Sequence, residues 1–360
     1  MRFLVKYRHV ITAVVACILF SFLIYIGVRT KDIKNVNLKN SVYAGNAFGT
    51  AIKKTLYAQD ESDLGDVNDA IDKELKALEN ELSVRVADSE VTLLNRNYEA
   101  GGKYELSDEL LSYLNAEMDL YESTDGAFNP CIRPLTNLWG IEDGETKIPS
   151  EESIKKALGY CNVDNMELYD SGIIFREPGM MIDFGATGKG LACDKVREIL
   201  KQSKAEGAVV SIGGSICVYG DKGDNKPWHI GVQDPRKEDG EVLGIVDVDG
   251  TVTVSTSGDY EKYFEQDGVR YHHIIDPATG YPADSGLMSV TVICENGLQS
   301  DGLSTACFVM GLDKGMAYAK EHNIDMIFVT TDKKVYVTDG LKKRFRLTAD
   351  DYTLEQYKGK

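Results

Sequence analysis

A charge-free apolar run near the N-terminus restricts what the first part of this chain can form. No charged residue occurs from Val10 to Val28, and about 20 apolar residues are enough for a helix to cross the hydrocarbon core of a bilayer. The run is followed by the polar sequence RTKD, without an Ala-x-Ala-like cleavage site. We therefore predict an uncleaved transmembrane anchor over residues 10–28, after the short N-terminal segment 1–9 and before a polar linker over residues 29–42.

A lipoprotein signal is the alternative interpretation of this segment. The sequence VVAC, which ends at Cys17, looks like a lipoprotein cleavage box, but the apolar run continues past Cys17 to Val28. A lipidated N-terminus should turn polar at that point, so the anchor is preferred. Positive charges flank the run on both sides, and the positive-inside rule therefore does not fix its orientation.

Composition restricts the class of the remaining chain. With 360 residues and 43% hydrophobic content, the protein can form one large or two smaller globular domains. The formal net charge of −17 would repel a phosphate backbone, which argues against a nucleic-acid partner. The seven cysteines include no CxxC pair, so free thiols are favoured over a disulfide framework, and a zinc site is not expected.

Hydrophobic spacing predicts a single α+β domain after the linker. Helical spacing or a capping residue marks four segments: DVNDAIDKELKALENELS, SDELLSYLNAEMDLYEST, EESIKKAL and CDKVREILKQSKAEG. Strand-like runs mark five others: GAVVSIGGSICVYG, WHIGVQD, LGIVDVDGTVTVSTSG, LMSVTVIC and DMIFVTTD. Strands and helices without strict alternation indicate the α+β class.

A glycine-rich turn is the first candidate for chemistry. In MMIDFGATGKGLACDKV, a short apolar strand is predicted to end at Asp183 and a helix to start near Leu191. Backbone amides in such a turn, with Lys189 beside them, can bind phosphate oxygens. The spacing of a Walker loop is absent, and a plain strand-to-helix turn is the alternative.

Three oxygen-bearing side chains in SDGLSTACFVMG form the second candidate. Asp301, Ser304 and Thr305 lie at positions i, i+3 and i+4, which share one face of a helix. A carboxylate with neighbouring hydroxyls is the hard oxygen ligation that Mg²⁺ prefers. The alternative is that Ser300 or Asp301 only caps the helix.

The paired histidines in RYHHIIDPATGYPA form the third candidate. His273 and Asp276 can supply acid or base chemistry near neutral pH, held by a tight turn that contains Pro277 and Gly280. Alternate residues of a strand point to opposite faces. Only one of the two histidines is therefore expected to face a site, and His273 is preferred over His272.

These segments belong to a longer series of motifs that resembles the ApbE family, the FAD:protein FMN transferases. From about Ser41 to near the C-terminus the family-like motifs follow in order: AFGT, LSVRVADSEVTLLN, STDGAFNPCIRPLTNLWG, IDFGATGKGLACDKV, VSIGGSICVYG, KPWHIGVQDP, VSTSGDYEKYF, RYHHIIDPATGYPA, SVTVI and SDGLSTACFVMG. The resemblance implies one ApbE-like, T-fold-related catalytic domain over residues 43–357. Spacing alone indicates no more than a Mg²⁺-dependent phosphate enzyme.

The resemblance also implies a reaction and a set of site residues. In the family, the FMN half of FAD passes to a threonine hydroxyl of an acceptor protein, and AMP is released. The implied Mg²⁺ ligands are the backbone carbonyl of Ala186 and the side chains of Asp301, Ser304 and Thr305. The positions that match FAD contacts are Phe48, Arg85, Ala127, Phe128, Asn129, Asp183, Lys189 and Ile275. His273 is then expected to help deprotonate the attacking threonine, with Asp276 as its orienter or as an alternative base.

Some positions depart from the commoner family pattern while the metal positions are retained. Phe48 stands where methionine is usual, Arg85 where an aromatic residue often packs on the nucleotide, and Asn129 where aspartate is frequent. Thr187 and Gly188 replace the usual Ile-Ala before the lysine. Two other functions compete with transfer: hydrolysis of FAD to FMN and AMP, and flavin binding by a membrane-tethered carrier without turnover.

The partners follow from the same resemblance. The expected acceptor carries a Ser/Thr-Gly-Ala-Thr-like site and is a subunit of a membrane redox complex or a secreted flavoprotein. The N-terminal helix would tether the enzyme to the cell membrane, with residues 1–9 in the cytoplasm and the catalytic domain outside it.

Overall fold

The computed structural model describes residues 37–238 and 240–359. The anchor predicted over residues 10–28 lies outside the described residues. Within residues 37–238 and 240–359, no helix is both long and apolar enough to cross a membrane.

A mixed α+β fold is built around a large sheet, as the sequence predicts. The strands are β1 Lys39–Ala47, β2 Thr50–Ala58, β3 Tyr104–Glu105, β4 Met166–Tyr169, β5 Gly172–Phe175, β6 Gly207–Ile212, β7 Ser215–Gly220, β8 Trp228–Gln233, β9 Val242–Val248, β10 Val252–Gly258, β11 Tyr263–Gln266, β12 Val269–His272, β13 Leu287–Cys294, β14 Asp325–Thr330, β15 Lys334–Val337, β16 Phe345–Leu347 and β17 Thr353–Glu355. The helices are α1 Leu64–Leu82, α2 Glu90–Asn97, α3 Asp108–Ser123, α4 Arg133–Trp139, α5 Glu151–Gly159, α6 Gly188–Gln202 and α7 Gly297–Glu321.

The central sheet has nine strands in the order β1-β2-β6-β7-β10-β13-β14-β15-β17. All of its neighbouring strands run antiparallel except β15 and β17, which are parallel. Two three-stranded sheets, β16-β9-β8 and β3-β5-β4, and the two-stranded hairpin β11-β12 stand outside it. The hairpin leads directly into His273.

Both faces of the central sheet are covered, which explains the apolar runs of its inner strands. Along β14, Met326 and Phe328 contribute to the core on the helical side, whereas Ile327 and Val329 pack in the core shared with β8, β9 and β16. Successive side chains of a strand point to opposite faces. The molecule is therefore layered as helices, central sheet and small sheet.

The helical predictions are confirmed where the sequence shows clear spacing. All five apolar residues in the predicted pattern of α1 are buried: Val67, Ile71, Leu75, Leu78 and Leu82. Ser107 caps α3 by accepting a hydrogen bond from the backbone amide of Leu110 at 3.1 Å. Helix α7 contains one non-helical residue, Gly311, with a positive φ of 78°, a conformation that glycine adopts without steric cost.

Candidate active site

The glycine-rich turn enters the site from an extended loop rather than from a strand. Residues 180–184 belong to no strand, so the prediction of a strand that ends at Asp183 is wrong. The Asn95 side chain takes the place of a neighbouring strand, because it both donates to and accepts from the backbone of Ile182 at 2.9 Å. Helix α6 begins at Gly188, earlier than the predicted Leu191.

A close approach of two helices joins this turn to the oxygen-bearing segment. A Cβ at Gly190 would lie 2.0 Å from the carbonyl oxygen of Gly297, so only glycine allows α6 and α7 this contact. The carboxylate of Asp301 accepts a hydrogen bond from the backbone amide of Gly190 at 2.9 Å. The first and second candidate segments therefore form one site.

The helix-cap interpretation of the second segment is wrong. Helix α7 begins at Gly297, and the Asn296 side chain caps it by accepting a hydrogen bond from the Gln299 amide at 2.8 Å. Asp301 lies inside the helix with 2% of its surface exposed, and its carboxylate bonds to the amide of Gly190 in α6 rather than to an amide at the start of α7.

Asp301 is surrounded by groups that stabilise its negative charge. Its Oδ1 accepts a hydrogen bond from the Ser215 hydroxyl at 3.1 Å, and Ser215 in turn accepts one from Ser255 at 3.0 Å. The ammonium group of Lys189 lies 3.9 Å from the same Oδ1. The Asp301 carboxylate raises the pKa of Lys189, although burial opposes this effect. Lys189 is therefore held as a cation at the start of α6.

The hydroxyls of Ser304 and Thr305 meet a third hydroxyl that the sequence interpretation missed. Ser257, at the end of β10, lies 2.7 Å from Ser304 Oγ and 3.0 Å from Thr305 Oγ1. Ser304 is fully buried and donates to the carbonyl oxygen of Asp301 at 2.7 Å, whereas Thr305 is only half-buried. Successive side chains of a strand alternate between its faces, so Ser255 and Ser257 in VSTSG share one face. This pattern could have identified Ser257 from the sequence.

The donor chemistry of this cluster fits a hard cation. Within residues 37–238 and 240–359, no group of three or more His, Cys, Asp or Glu side chains is arranged to hold a metal ion. The predicted set instead combines the Asp301 carboxylate with hydroxyl and backbone carbonyl oxygens, including those of Thr305 and Ala186. Such oxygen donors suit Mg²⁺ rather than a transition metal.

The two histidines occupy different environments, as the strand period predicts. His272 is buried, packs edge-on against Phe308, and lies with Nε2 3.0 Å from the carbonyl oxygen of Ala283. His273 is half-buried, and its Nδ1 lies 3.3 Å from the carbonyl oxygen of Lys262. Burial lowers the pKa of His273 to about 4, so the imidazole is neutral at pH 7. A hydrogen on Nδ1 that is donated to Lys262 leaves the lone pair of Nε2 available.

Asp276 shapes the turn after His273. Its Oδ1 accepts from the Ala278 amide at 2.8 Å and its Oδ2 from the Thr279 hydroxyl at 3.0 Å. Within the described part of the chain, no hydrogen bond joins Asp276 to His273; the Lys262 carbonyl occupies the orienting position. Ile275 is buried and pairs with Pro282 across the same turn.

An ion-pair cluster lines the rim beside His273. The Arg85 guanidinium donates to a Glu142 carboxylate oxygen at 3.2 Å and to Asp143 at 3.3 Å. Burial acts to raise the pKa of Glu142, but the positive charges of Lys262, Arg85 and Lys189, together with that of His273 when it is protonated at acid pH, outweigh burial and lower this pKa below its usual range. Glu142 was not predicted; it lies in a short 3-10 turn, Ile141–Asp143, that begins one residue after α4.

The remaining FAD-matching positions surround the glycine-rich turn. The Phe48 ring lies 3.9 Å from the position of a Cβ at Gly188. Asp183 accepts from Arg133 at 3.1 Å and from the Gly185 amide at 2.8 Å; burial raises its pKa against the effect of Arg133.

The adjacent segment that contains Ala127, Phe128 and Asn129 is tied into the core. Phe128 is buried, and the side chain of Asn129 bonds to the Cys161 carbonyl at 3.0 Å and the Cys131 amide at 2.7 Å. Of this segment, Ala127 and Asn129 keep partly exposed surface.

The sequence motifs and this geometry coincide with one known family. A sequence model of the ApbE family matches residues 48–328. The chain belongs to the ApbE family. The match includes the glycine-rich turn, the histidine pair and the Asp301 segment, which the fold brings together.

Related proteins support the same assignment over most of the chain. An FAD:protein FMN transferase from Klebsiella pneumoniae is 33% identical over 313 residues, which cover 85% of this chain and 95% of the relative. A solved ApbE structure from Thermotoga maritima has a TM-score of 0.76 at 33% identity and covers 84% of this chain and 98% of its own. The flavin transferase ApbE from Vibrio cholerae gives a TM-score of 0.76 at 28% identity, with coverage of 85% and 99%.

Proposed function

We propose that this protein transfers FMN from FAD to a threonine hydroxyl of an acceptor protein and releases AMP. The observation that carries the proposal is the pairing of the Lys189 ammonium with the Asp301 carboxylate at the start of α6, with His273 near enough for the charge of Lys189 to affect its pKa. Curated relatives named FAD:protein FMN transferase support it. The acceptor would present its threonine in a Ser/Thr-Gly-Ala-Thr-like sequence.

The start of α6 supplies the charge that a pyrophosphate requires. The positive end of a helix dipole attracts phosphate oxygens, and the Lys189 ammonium adds a full positive charge at the start of α6. In a protein with a net charge of −17, this local cation counteracts the repulsion of an anionic nucleotide. Phosphoryl transfer depends mainly on such positioning and charge neutralisation.

In this proposal, His273 acts as the base. The threonine oxygen attacks the phosphorus on the FMN side, the bond from this phosphorus to the oxygen of the AMP phosphate breaks, and AMP leaves with the bonding electrons. His273 Nε2 takes the hydroxyl proton, while the carbonyl of Lys262 holds Nδ1. A neutral imidazole at pH 7 is the protonation state that this role needs.

Mg²⁺ would be held by Asp301 and Thr305 with the carbonyl of Ala186, and Ser304 would support them through its bond to the Asp301 backbone. When bound, the ion would neutralise charge on the phosphates. The Asp301 side chain is already fixed by Gly190 and Ser215. Little side-chain reorganisation is therefore needed for binding.

The test incubates the full-length chain, purified in detergent, with FAD, Mg²⁺ and a protein that bears a Ser/Thr-Gly-Ala-Thr site. Intact mass and AMP release are recorded together, and an acceptor with alanine in place of the threonine is the control. We expect an FMN-sized mass gain on the threonine acceptor, matched by AMP. AMP with free FMN and an unmodified acceptor would favour hydrolysis instead, and FAD binding without cleavage would favour a carrier.

We further propose that residues 10–28 anchor the enzyme in the cell membrane with its catalytic domain on the extracytoplasmic side. The charge-free run supports the anchor. The resemblance to a family whose acceptors include membrane redox-complex subunits and secreted flavoproteins supports the orientation.

A further inference from the structure

A carboxyl group lies in the hydrophobic core beneath the glycine-rich turn. Glu117 shares the buried stripe of α3 with Leu110, Leu114 and Leu120 and is fully shielded from solvent. Its Oε1 accepts a hydrogen bond from the Thr187 hydroxyl at 2.6 Å. Its Oε2 has no hydrogen-bond partner within the described residues. A buried carboxyl without a cationic partner destabilises a fold, and an apolar residue would serve packing alone better.

Thr187 connects this carboxyl to the candidate site. It is fully buried, and its hydroxyl makes no capping bond to α6, although it stands at the N-cap position. Its methyl group lies 3.2 Å from the position of a Cβ at Gly302, the residue after Asp301. Thr187 is therefore held between α3 and α7, directly after Ala186 and two residues before Lys189.

Two hydrogen bonds thus fix the turn from different sides. Asp301 holds the amide of Gly190 at 2.9 Å, and Glu117 holds the hydroxyl of Thr187 at 2.6 Å. The backbone carbonyl of Ala186 directly precedes the first of these points, and Lys189 lies between the two. A shift of the Thr187 end would move both groups together.

We propose that Glu117 is a positioning residue that, through Thr187, sets the Ala186 carbonyl and the Lys189 ammonium for the cation and the pyrophosphate. This inference rests on the proposed function. Burial raises the pKa of Glu117 well above its usual range, which is consistent with a neutral hydrogen-bond partner. A neutral amide at the same place should therefore work nearly as well as the carboxyl group.

The experiment compares five variants of the full-length chain: Glu117→Gln, Thr187→Val, Thr187→Ser, the double variant Glu117→Met with Thr187→Val, and Glu122→Gln as the control on the exposed side of α3. Two quantities are measured: the Mg²⁺ concentration that gives half-maximal AMP release from FAD, and the rise in Tm on adding Mg²⁺ without FAD. The second measurement requires no turnover.

We expect Thr187→Val to raise the half-saturating Mg²⁺ concentration about tenfold, as is typical when a residue that orients metal ligands is lost. The Mg²⁺-induced rise in Tm should shrink in parallel. Glu117→Gln, Thr187→Ser and Glu122→Gln should stay within about twofold of the wild type, because they keep the hydrogen bond or lie outside it. The double variant removes both polar partners, and we expect it to fold while still requiring more Mg²⁺.

A Thr187→Val protein with lower Tm but an unchanged Mg²⁺ requirement would show that the bond only stabilises the fold. Recovery of the wild-type Mg²⁺ requirement in the double variant would overturn the inference in the same way. If the wild type neither releases AMP nor gains Tm with Mg²⁺, the proposed function fails, and the inference fails with it. If the wild type releases AMP and every variant shows the same Mg²⁺ dependence, the proposed function stands and only the inference about Glu117 is contradicted.

Discussion

Asp301 is almost completely buried, yet each of its carboxylate oxygens receives only one hydrogen bond from the described residues: one from Gly190 and one from Ser215. A carboxylate has about four acceptor positions, so lone pairs remain for a cation. The hydroxyl of Thr305 stands one turn further along the same helix face. At the scale of single residues, the unused acceptor positions of these oxygens distinguish the site from a buried hydrogen-bond network in which every acceptor is satisfied.

Replacement of Asp301 should remove the cation site. In Asp301→Asn the loss of negative charge is expected to lower Mg²⁺-dependent AMP release by about a hundredfold, in line with the loss of a metal ligand. Steady-state assays over a range of Mg²⁺ concentrations check this, with Asp339→Asn at an exposed position as the control. Wild-type turnover in Asp301→Asn would exclude this metal site.

His273 gives the reaction its expected pH dependence. A base acts only when deprotonated, and the pKa of His273 is lowered to about 4. The rate of transfer by the wild type should therefore stay level from about pH 8 down to pH 5 and fall below that. His273→Gln should reduce the rate by about 10²-fold or more and remove this acid limb.

Measurement of kcat/KM for FAD between pH 4 and 9 checks the prediction, with His272→Gln as the neighbouring control. If kcat/KM falls at low pH in the same way in the wild type and in His273→Gln, the titrating group is not His273.

Glu81 should make stability depend on pH. Burial, together with the charge of Glu109, raises its pKa from 4.5 to about 7, and its Oε1 has no hydrogen-bond partner within the described residues. The protonated form stabilises the fold at pH values below about 4.5, and this contribution is lost as pH rises through about 7. Glu81→Gln should therefore be more stable than the wild type at pH 8 by about 1 to 2 kcal/mol, after allowance for solvent screening.

Urea unfolding at pH 5 and pH 8 measures the difference, with the exposed Glu198→Gln on α6 as the control. If Glu81→Gln changed the free energy of unfolding equally at both pH values, the added stability would not come from removing the ionised Glu81 carboxylate.

At the scale of elements, the site depends on one helix crossing. Gly190 of α6 and Gly297 of α7 approach so closely that a Cβ on either would lie 2.0 to 2.1 Å from the carbonyl oxygen of the other. This contact brings the amide of Gly190 to Asp301 and places the start of α6 beside the strand end that carries Ser257. Backbone contact therefore determines the distance between the glycine-rich turn and the oxygen cluster.

A methyl group at this crossing should separate the two helices. Gly190→Ala is expected to lower the free energy of unfolding by about 3 kcal/mol, because backbone atoms cannot rotate away as a side chain can. Gly65→Ala, in α1, is the matched control. No atom lies within 4 Å of its added methyl, and alanine favours a helix over glycine by up to about 1 kcal/mol.

Urea unfolding and AMP release should respond together in Gly190→Ala. An active protein of unchanged stability would mean that the helices are not as close in solution.

At the scale of the whole molecule, helices on one face of the nine-stranded sheet and a small sheet on the other leave the site at one end of β10. Loops from distant parts of the chain meet there: the turn before α6, the start of α7 and the segment after hairpin β11-β12. An acceptor protein can be modified only if it reaches this site. The proposed anchor would therefore restrict the acceptors to proteins on the same side of the membrane as the catalytic domain.

The location of the catalytic domain can be tested with the full chain. A reporter fused after Lys360 that is active only outside the cytoplasm, such as alkaline phosphatase, should give a signal, while a fusion active only inside should not. Deletion of residues 10–28 should reverse the pattern, since long domains follow the N-terminal segment across the membrane. A fusion that is active only in the cytoplasm would contradict the extracytoplasmic proposal.

The sequence by itself determined the helices with clear apolar spacing, such as α1 and α3, most central strands and the residues that carry the family motifs, because periodicity and ordered motifs are local properties. Tertiary structure alone decided that residues 180–184 are held by Asn95 rather than in a strand, that Asn296 rather than Asp301 caps α7, and that Lys262 rather than Asp276 orients His273. It also revealed Ser257, Glu142 and Glu117, whose partners lie between 47 and 70 residues away in the chain. Such contacts depend on the packing of whole elements, which no local pattern encodes.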